Sequence, residues 1–181
     1  MALKSTIHKV DLQIADMDRN YYAQHNLTIA RHPSETDERM MVRLIAFILF
    51  AEDSLAFAKG LSAEDEPDLW LKDLTGAIEL WIDVGLPDER EVRKACGRAK
   101  HVAVILYGGR TADMWWSQNE KSLTKQNHLT IINLPDTAGL SALTERTMSL
   151  SCNIQDGTIW LNSETGTIEI TPQILKKPAK G

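Results

Sequence analysis

Residues 77–107 constrain the fold of this chain more than any other segment, because two hydrophobic periods meet there. From 77 to 84 apolar side chains alternate with acidic and aromatic ones, which is the period of a β-strand. A Gly-Leu-Pro turn leads into a basic segment at 88–99 with helical spacing, and 101–107 is apolar almost throughout. A continuous apolar run is typical of a strand buried on both faces. Strand, helix and strand within about thirty residues predict a right-handed βαβ unit.

The rest of the chain also alternates between strand and helix patterns. Turn residues at 16–20 predict an N-terminal β-hairpin, and Asp-Gly and Thr-Gly turns near the other end predict hairpins there. The further predicted strands are 4–14, 26–31, 129–134, 148–154, 158–162 and 167–170, and the further predicted helices are 35–58, 111–126 and 139–146, with 62–73 as a short helix or an irregular connector.

These elements predict an α/β (α+β) protein with a mixed central β-sheet, flanking helices and β-hairpins at both ends. A length of 181 residues fits a single domain over 1–181, with a frayed tail at about 176–181.

Composition excludes some classes of protein and disfavours others. The net charge of −5 and the pI of about 5.5 do not favour a nucleic-acid binder, although a local basic patch can serve in an acidic protein. The longest apolar run, 44–51, is too short to cross a bilayer. The two cysteines form no CxxC motif, so free thiols are expected. We therefore expect a soluble cytoplasmic protein without a membrane partner.

Sequence motifs for several kinds of active site are missing. The chain contains no GxSxG, no HExxH, no Walker loop and no GxGxxG. Nothing therefore indicates a covalent nucleophile or an organic cofactor. The acidic residues are the remaining chemical signal.

Two of these acids, Glu79 and Asp83, share one face of the predicted strand with Trp81. Four residues at roughly 3.3 Å each put the two acids roughly 13 Å apart. One metal ion with bonds of about 2.1 Å cannot bind both. Asp83 lies nearer the carboxyl end of the strand, where ligands gather in α/β sheets. A salt bridge to a nearby arginine is the alternative for either acid.

A third acid, Glu38, begins the apolar stripe of the first predicted helix, where it is either a solvated residue or a metal ligand. Arg39 and Arg43 lie on a neighbouring face, where they are expected to form a solvated face or to pair with carboxylates, with a phosphate contact as the lesser alternative. The helix after Pro87 carries five basic residues, which form either a solvated face or a small phosphate-binding surface. They are Arg90, Arg93, Lys94, Arg98 and Lys100.

Three segments together resemble the YaeQ family: ARHPSETDERMMVRLIAF, IELWIDVGLPDEREVRKACGRAK and NIQDGTIWL. The resemblance covers nearly the whole chain. The YaeQ family is similar in fold to the PD-(D/E)XK nuclease-like proteins, as a variant of that fold. The resemblance therefore implies an active site with a helix Glu, a strand Asp and a (D/E)-X-K strand that bind Mg²⁺.

Carried over to this chain, the resemblance gives Glu38 as the helix glutamate, with Glu35 as the second choice. Asp83-Val84-Gly85 stands at the (D/E)-X-K position, with Gly85 in place of the lysine. Some members of the fold take a lysine from the next helix, and Lys94 could fill that role.

The strand aspartate of the motif has three candidates. Pro67-Asp68 contains the letters of the motif, but its acidic surroundings favour a helical or irregular segment. Glu79 is therefore the preferred substitute, and Asp11 on the first strand is the third candidate.

Two functional hypotheses follow. The first is a Mg²⁺- or Mn²⁺-dependent nuclease that cleaves nucleic-acid phosphodiesters, with Glu38, Glu79, Asp83 and Lys94 as catalytic residues and the three acids as metal ligands. The second is a catalytically inactive module of the same fold that binds nucleic acid or a protein partner. Some of the five tryptophans would then be exposed contacts, although most are expected in the core.

Overall fold

The computed structural model describes residues 4–58 and 65–179. Within them a 3₁₀ helix covers Ala138–Leu143. The strands and α-helices are, in chain order, β1 (Thr6–Asp16), β2 (Tyr21–Arg31), α1 (Asp37–Leu49), β3 (Leu55–Phe57), β4 (Leu69–Lys72), β5 (Ile78–Val84), α2 (Glu89–Cys96), β6 (Ala99–Leu106), α3 (Arg110–Leu123), β7 (Leu129–Asn133), β8 (Thr147–Gln155), β9 (Thr158–Ser163), β10 (Gly166–Ile170) and β11 (Gln173–Lys176).

The chain forms two compact units. The first unit contains the described residues up to Leu44 together with Asp136–Pro172. The second contains the described residues of Ile45–Pro135 and those from Gln173 onward. The single domain expected over 1–181 stays a prediction.

The first unit is built on a five-stranded mixed sheet in the order β10-β9-β8-β1-β2. β1 and β2 form the predicted N-terminal hairpin, and β1 pairs with β8 in parallel. Alternate residues of β1 are buried, from His8 at 4% exposure to Leu12 at 0%. One face of β1 is therefore packed. The intervening residues of the strand lie mostly on an exposed face.

The second unit is built on a six-stranded mixed sheet in the order β11-β7-β6-β5-β4-β3. β5, β6 and β7 are parallel, and α2 connects β5 to β6, so the βαβ prediction is confirmed. A core cluster that includes Trp81, Val92, Val104 and Trp115 joins these strands to α2 and α3. The α/β class and the mixed sheet are thus confirmed, whereas the terminal hairpins combine into a second sheet.

Helix α1 is enclosed on all sides. From Met40 to Ile48 no residue is more than 4% exposed, including Arg43. The Arg43 guanidinium makes two hydrogen bonds to the Glu35 carboxylate, at 2.9 Å from Nε and 2.6 Å from Nη2, and Nη2 also donates to the Ala30 carbonyl at 2.7 Å. Arg39 Nη1 donates to the same carboxylate at 2.6 Å. Of the alternatives for these two arginines, the structure shows the pairing with a carboxylate. A buried charge requires such a partner.

Some predicted elements differ from the structure. The helix expected over 35–58 ends at Leu49, and Leu55–Phe57 pairs with β4 as a strand. A short helix or irregular connector was expected over 62–73, but Leu69–Lys72 is strand β4, because it pairs with β5. Residues 62–64 lie outside the described residues. The helix expected at 139–146 is a 3₁₀ turn.

The C-terminal segment is held in place where a frayed tail was expected. Lys176 is the last residue of β11, which pairs with β7, and the Ala179 amide donates to the Asn127 carbonyl at 2.7 Å. Residues 180 and 181 lie outside the described residues.

Both cysteines are free, as expected, with Cys152 buried and Cys96 half-buried. Burial raises the pKa of the Cys152 thiol to about 12 and also raises the pKa of Cys96. No helix in the described parts of the chain is long and apolar enough to cross a membrane.

Arg43→Met should lower the free energy of unfolding by roughly 3–5 kcal/mol, because it leaves the Glu35 carboxylate buried with a weaker set of partners. Urea denaturation followed by circular dichroism measures this change. Arg93→Met is the matched control, since the Arg93 side chain is 49% exposed in its pair with Glu89. Its cost should stay within about 1 kcal/mol. Equal effects of the two substitutions would contradict a dominant role for the buried pair.

Candidate metal centre

The pairing of β4 with β5 brings two aspartates to the same end of a hairpin. Leu69 lies opposite Ile82, so Asp68 just before β4 and Asp83 near the end of β5 are neighbours. The Asp68 amide donates to the Ile82 carbonyl at 3.0 Å, and its Oδ2 accepts a hydrogen bond from the Val84 amide at 2.8 Å. The Asp68 carboxylate is therefore bound to the residue that follows Asp83.

The two aspartates differ in environment. Asp68 is 5% exposed, whereas Asp83 is half-buried. Trp81 Nε1 donates to Asp83 Oδ2 at 3.0 Å, and Trp81 is itself only 5% exposed. A packed indole therefore orients the Asp83 carboxylate.

Gly85 occupies a backbone conformation that a lysine rarely adopts. Its φ is +107°, and its amide donates to the Ile105 carbonyl at 2.9 Å. This turn directs the chain from the end of β5 towards α2, whose N-cap Asp88 accepts a hydrogen bond from the Arg90 amide. The absence of the motif lysine is thus tied to the backbone conformation of the turn.

The cations near this hairpin end come from α2 and the residues after it. The Arg98 guanidinium carbon lies 5.4 Å from the centroid of the Trp81 ring, and Arg98 Nη1 lies 3.5 Å from Asp65 Oδ1. Lys94 Nζ lies 3.9 Å from the same Asp65 oxygen, on a side chain that is 56% exposed. Arg98 is therefore linked to Asp83 through one shared contact residue, Trp81.

Glu79 is engaged elsewhere on β5. Its Oε1 accepts a hydrogen bond from Lys100 Nζ at 2.8 Å. This hydrogen bond is the main reason that the pKa of Lys100 is raised above its ordinary value. A salt bridge to an arginine was the alternative expected for Glu79. The structure shows a salt bridge, but its partner is Lys100. A catalytic role for Glu79 stays a prediction.

The remaining acidic candidates belong to the first unit. Glu38, in the first turn of α1, is half-buried and accepts a hydrogen bond from Thr137 Oγ1 at 3.2 Å. Glu35 is neutralised by two arginines and would have to break both pairs to bind a metal. Asp11 is exposed on β1 and bonded to Gln24 Nε2. A role for Glu38 with Asp83 stays a prediction.

The donor set at the hairpin end suits a hard cation. In the described residues no group of three or more His, Cys, Asp or Glu side chains forms a metal-binding cluster. Mg²⁺, however, is commonly held by one or two carboxylates together with waters and substrate phosphates. A carboxylate has about four lone-pair positions, so one that accepts a hydrogen bond can also bind a cation. Asp68 and Asp83 therefore fit Mg²⁺ or Mn²⁺ as a partial ligand set.

Sequence reasoning discounted Asp68 and did not single out Arg98. The acid-rich context of Pro67-Asp68 favoured a helical or irregular segment, but the Leu-Trp-Leu that follows it is a short strand pattern. Its match to the Leu-Trp-Ile segment of β5 was the available signal for a hairpin. For Arg98 the signal was its spacing of four residues from Lys94.

Known proteins match this chain over nearly its full length. The family model described as YaeQ protein matches residues 1–172. "Uncharacterized protein YaeQ" of Escherichia coli strain K12 is 45% identical over 181 residues, covering 99% of this chain and 100% of that protein. The protein of the same description from Salmonella typhi is 46% identical with the same coverage.

Two solved structures have the same fold. The crystal structure of YaeQ protein from Xanthomonas axonopodis pv. citri has a TM-score of 0.94 and 48% identity, covering 96% of this chain and 99% of that one. The crystal structure of YaeQ protein from Pseudomonas syringae has a TM-score of 0.89 and 34% identity, covering 96% and 97%. With matches of this length and identity, the chain belongs to the YaeQ family.

Proposed function

We propose that this protein is a Mg²⁺- or Mn²⁺-dependent phosphodiesterase that acts on nucleic acid, on a variant of the PD-(D/E)XK nuclease-like fold. The observation that carries the proposal is the position of Asp68 beside Asp83 at one end of the β4–β5 hairpin. Pro67-Asp68 lies just before β4, and Asp83-Val84-Gly85 lies at the end of β5. This order follows the order of the nuclease motif. Asp68 therefore replaces Glu79 as our choice for the strand aspartate.

In this proposal the side chains have separate roles. Asp68 and Asp83 would hold the cation, which when bound would lower the pKa of a water and polarise a phosphate. Trp81 fixes the orientation of Asp83 through its indole N–H. Arg98, and Lys94 beside it, would offset negative charge that develops on the phosphate.

The second candidate function is a non-catalytic module that binds nucleic acid or a protein partner. The positive φ of Gly85 favours it, because the turn excludes an unstrained lysine at the motif position. The two candidates differ in turnover, so a cleavage assay separates them.

The first prediction concerns metal-dependent cleavage. The purified protein with Mg²⁺ or Mn²⁺ should cleave at least one substrate among single-stranded, duplex and branched DNA and RNA. Asp68→Asn and Asp83→Asn should each lower the rate by about 100-fold or more, because they remove the charge of a metal ligand. In the Asp68→Asn variant the side-chain amide oxygen can still accept from the Val84 amide, so folding should be retained.

Asp113→Asn is the matched control, an exposed aspartate on α3 outside the candidate centre. It should leave the cleavage rate unchanged. Binding of nucleic acid without cleavage of any substrate would reject the phosphodiesterase and support the binding module. If the protein neither binds nor cleaves any nucleic acid, the result supports a module that binds a protein partner.

The second prediction compares the two candidate cations. Arg98→Met should reduce cleavage more than Lys94→Met does, since Arg98 packs on the tryptophan that orients Asp83, whereas Lys94 is more exposed. Initial rates at saturating metal measure the difference. A larger loss with Lys94→Met would return the cationic role to the lysine.

The third prediction concerns Gly85. Gly85→Lys should destabilise the fold by roughly 1–3 kcal/mol, because a side chain at this positive φ is strained. Gly97→Lys is the control, since Gly97 has a φ of −84° and a Cβ there would meet only the Lys94 carbonyl at an ordinary 3.5 Å. Thermal denaturation should show a large shift for the first variant alone. If both variants unfold alike, the turn does not explain the missing lysine.

A further inference from the structure

Strand β2 forms one edge of the five-stranded sheet and is unusually long for an edge strand. It has eleven residues, and in the described parts of the chain it pairs with β1 alone. Its register with β1 runs from Arg31 opposite Thr6 to Tyr21 opposite Asp16 without an irregularity. A long, regular edge presents backbone groups that can pair with another strand.

The other sheet edges are protected in ways that β2 is not. The opposite edge of the same sheet, β10, has only five residues and carries Glu169. In the second sheet β3 has three residues, while β11 has four, ends in Lys176 and has an irregular register. By contrast, residues 21–30 of β2 contain no Lys, Arg, Asp, Glu, Pro or Gly. Apart from Arg31 at its end, β2 thus lacks the charges, proline and bulges that commonly prevent edge pairing.

The packed face of the sheet is also incomplete at β2. On β1, Val10 and Leu12 are at most 2% exposed. Leu27, which lies opposite Val10 on β2, is only half-buried, as is Ala23. A further strand beside β2 would cover the row of side chains that begins on β1.

We propose that β2 pairs antiparallel with β2 of a second copy of this chain, so that two five-stranded sheets become one continuous sheet across a two-fold axis. The longest overlap of two identical eleven-residue strands is centred on the middle residue, Asn26. In this register Asn26 faces its own copy, and Gln24 faces Thr28.

A second copy suits this edge because the pairing is self-complementary. Every residue in the window Ala23–Ile29 lacks a formal Lys, Arg, Asp or Glu charge, so no like charges oppose one another. Arg31 lies outside the window. The Ala30 carbonyl, which already accepts a hydrogen bond from Arg43, also lies outside it and is not needed for the pairing of the two β2 strands. A symmetric interface of this kind uses the same surface on both copies.

The first experiment measures mass by light scattering and sedimentation over about 1 to 100 µM protein. The full chain should be a dimer in the upper part of this range. Asn26→Lys places two ammonium groups opposite each other and should raise the dissociation constant at least about tenfold. Thr167→Lys, an exposed position on the opposite edge strand β10, should leave it unchanged.

Circular dichroism verifies that both lysine variants keep the fold. A full chain that stays monomeric at the highest concentration would overturn the proposal. So would equal weakening by Thr167→Lys, because the interface would then not be specific to β2.

The second experiment tests the register by disulfide formation. Facing Cα atoms in an antiparallel pair are about 4.5–5.5 Å apart, within the span of a disulfide. Asn26→Cys should therefore form a covalent dimer on mild oxidation, whereas Thr28→Cys should form one only when mixed with Gln24→Cys.

The unsubstituted chain gives the background, which should be low because both native thiols have raised pKa values. Equal crosslinking of Thr28→Cys alone and Asn26→Cys would show random collision and reject the paired edge.

Discussion

The double pairing of β5 is the interaction on which the second unit and its candidate site depend. β5 is hydrogen-bonded antiparallel to β4 along one edge and parallel to β6 along the other. This position buries Ile82 and Trp81 on opposite faces, under different parts of the core. The double pairing also fixes the end of β5, which contains Asp83 and is followed by the turn at Gly85. The same hydrogen bonds that stabilise the sheet therefore hold the candidate ligands in place.

The hydrogen-bond partners named above for the candidate carboxylates differ, although Glu35 and Asp68 are equally buried at 5% exposure. Helix α1 is enclosed, so Arg43 must be paired, and Glu35 is its partner. Glu35 is consequently held in ion pairs with two arginines, although the family resemblance made it the second choice for the helix glutamate. At the hairpin end a backbone amide binds the Asp68 carboxylate and an indole N–H binds that of Asp83, and both donors are neutral. These two hydrogen bonds orient both carboxylates at the candidate cation site.

The turn at Gly85 limits which side chain can follow β5 at the candidate centre. Its left-handed conformation directs the chain towards α2 and favours glycine at the position of the nuclease lysine. Among the described residues, Lys94 on α2 and Arg98 after it are cations near this end of the hairpin. Arg98 lies over the ring of Trp81, which is bonded to Asp83. The glycine turn and the contact of Arg98 with Trp81 both lie close to Asp83 in the structure.

The sequence by itself determined the elements whose information is local. The alternation over 77–84, the apolar run over 101–107 and the acidic start of α2 predicted the βαβ unit, because strand and helix periods and helix caps depend on neighbouring residues. Three segments of the sequence likewise indicated membership of the YaeQ family. Only the tertiary structure decided which carboxylate joins Asp83. Asp68 bonds to Val84 across 16 residues, and that contact exists only because β4 pairs with β5. The parallel pairing of β1 with β8 is also decided by tertiary structure, because no local pattern specifies a partner more than a hundred residues away in the chain.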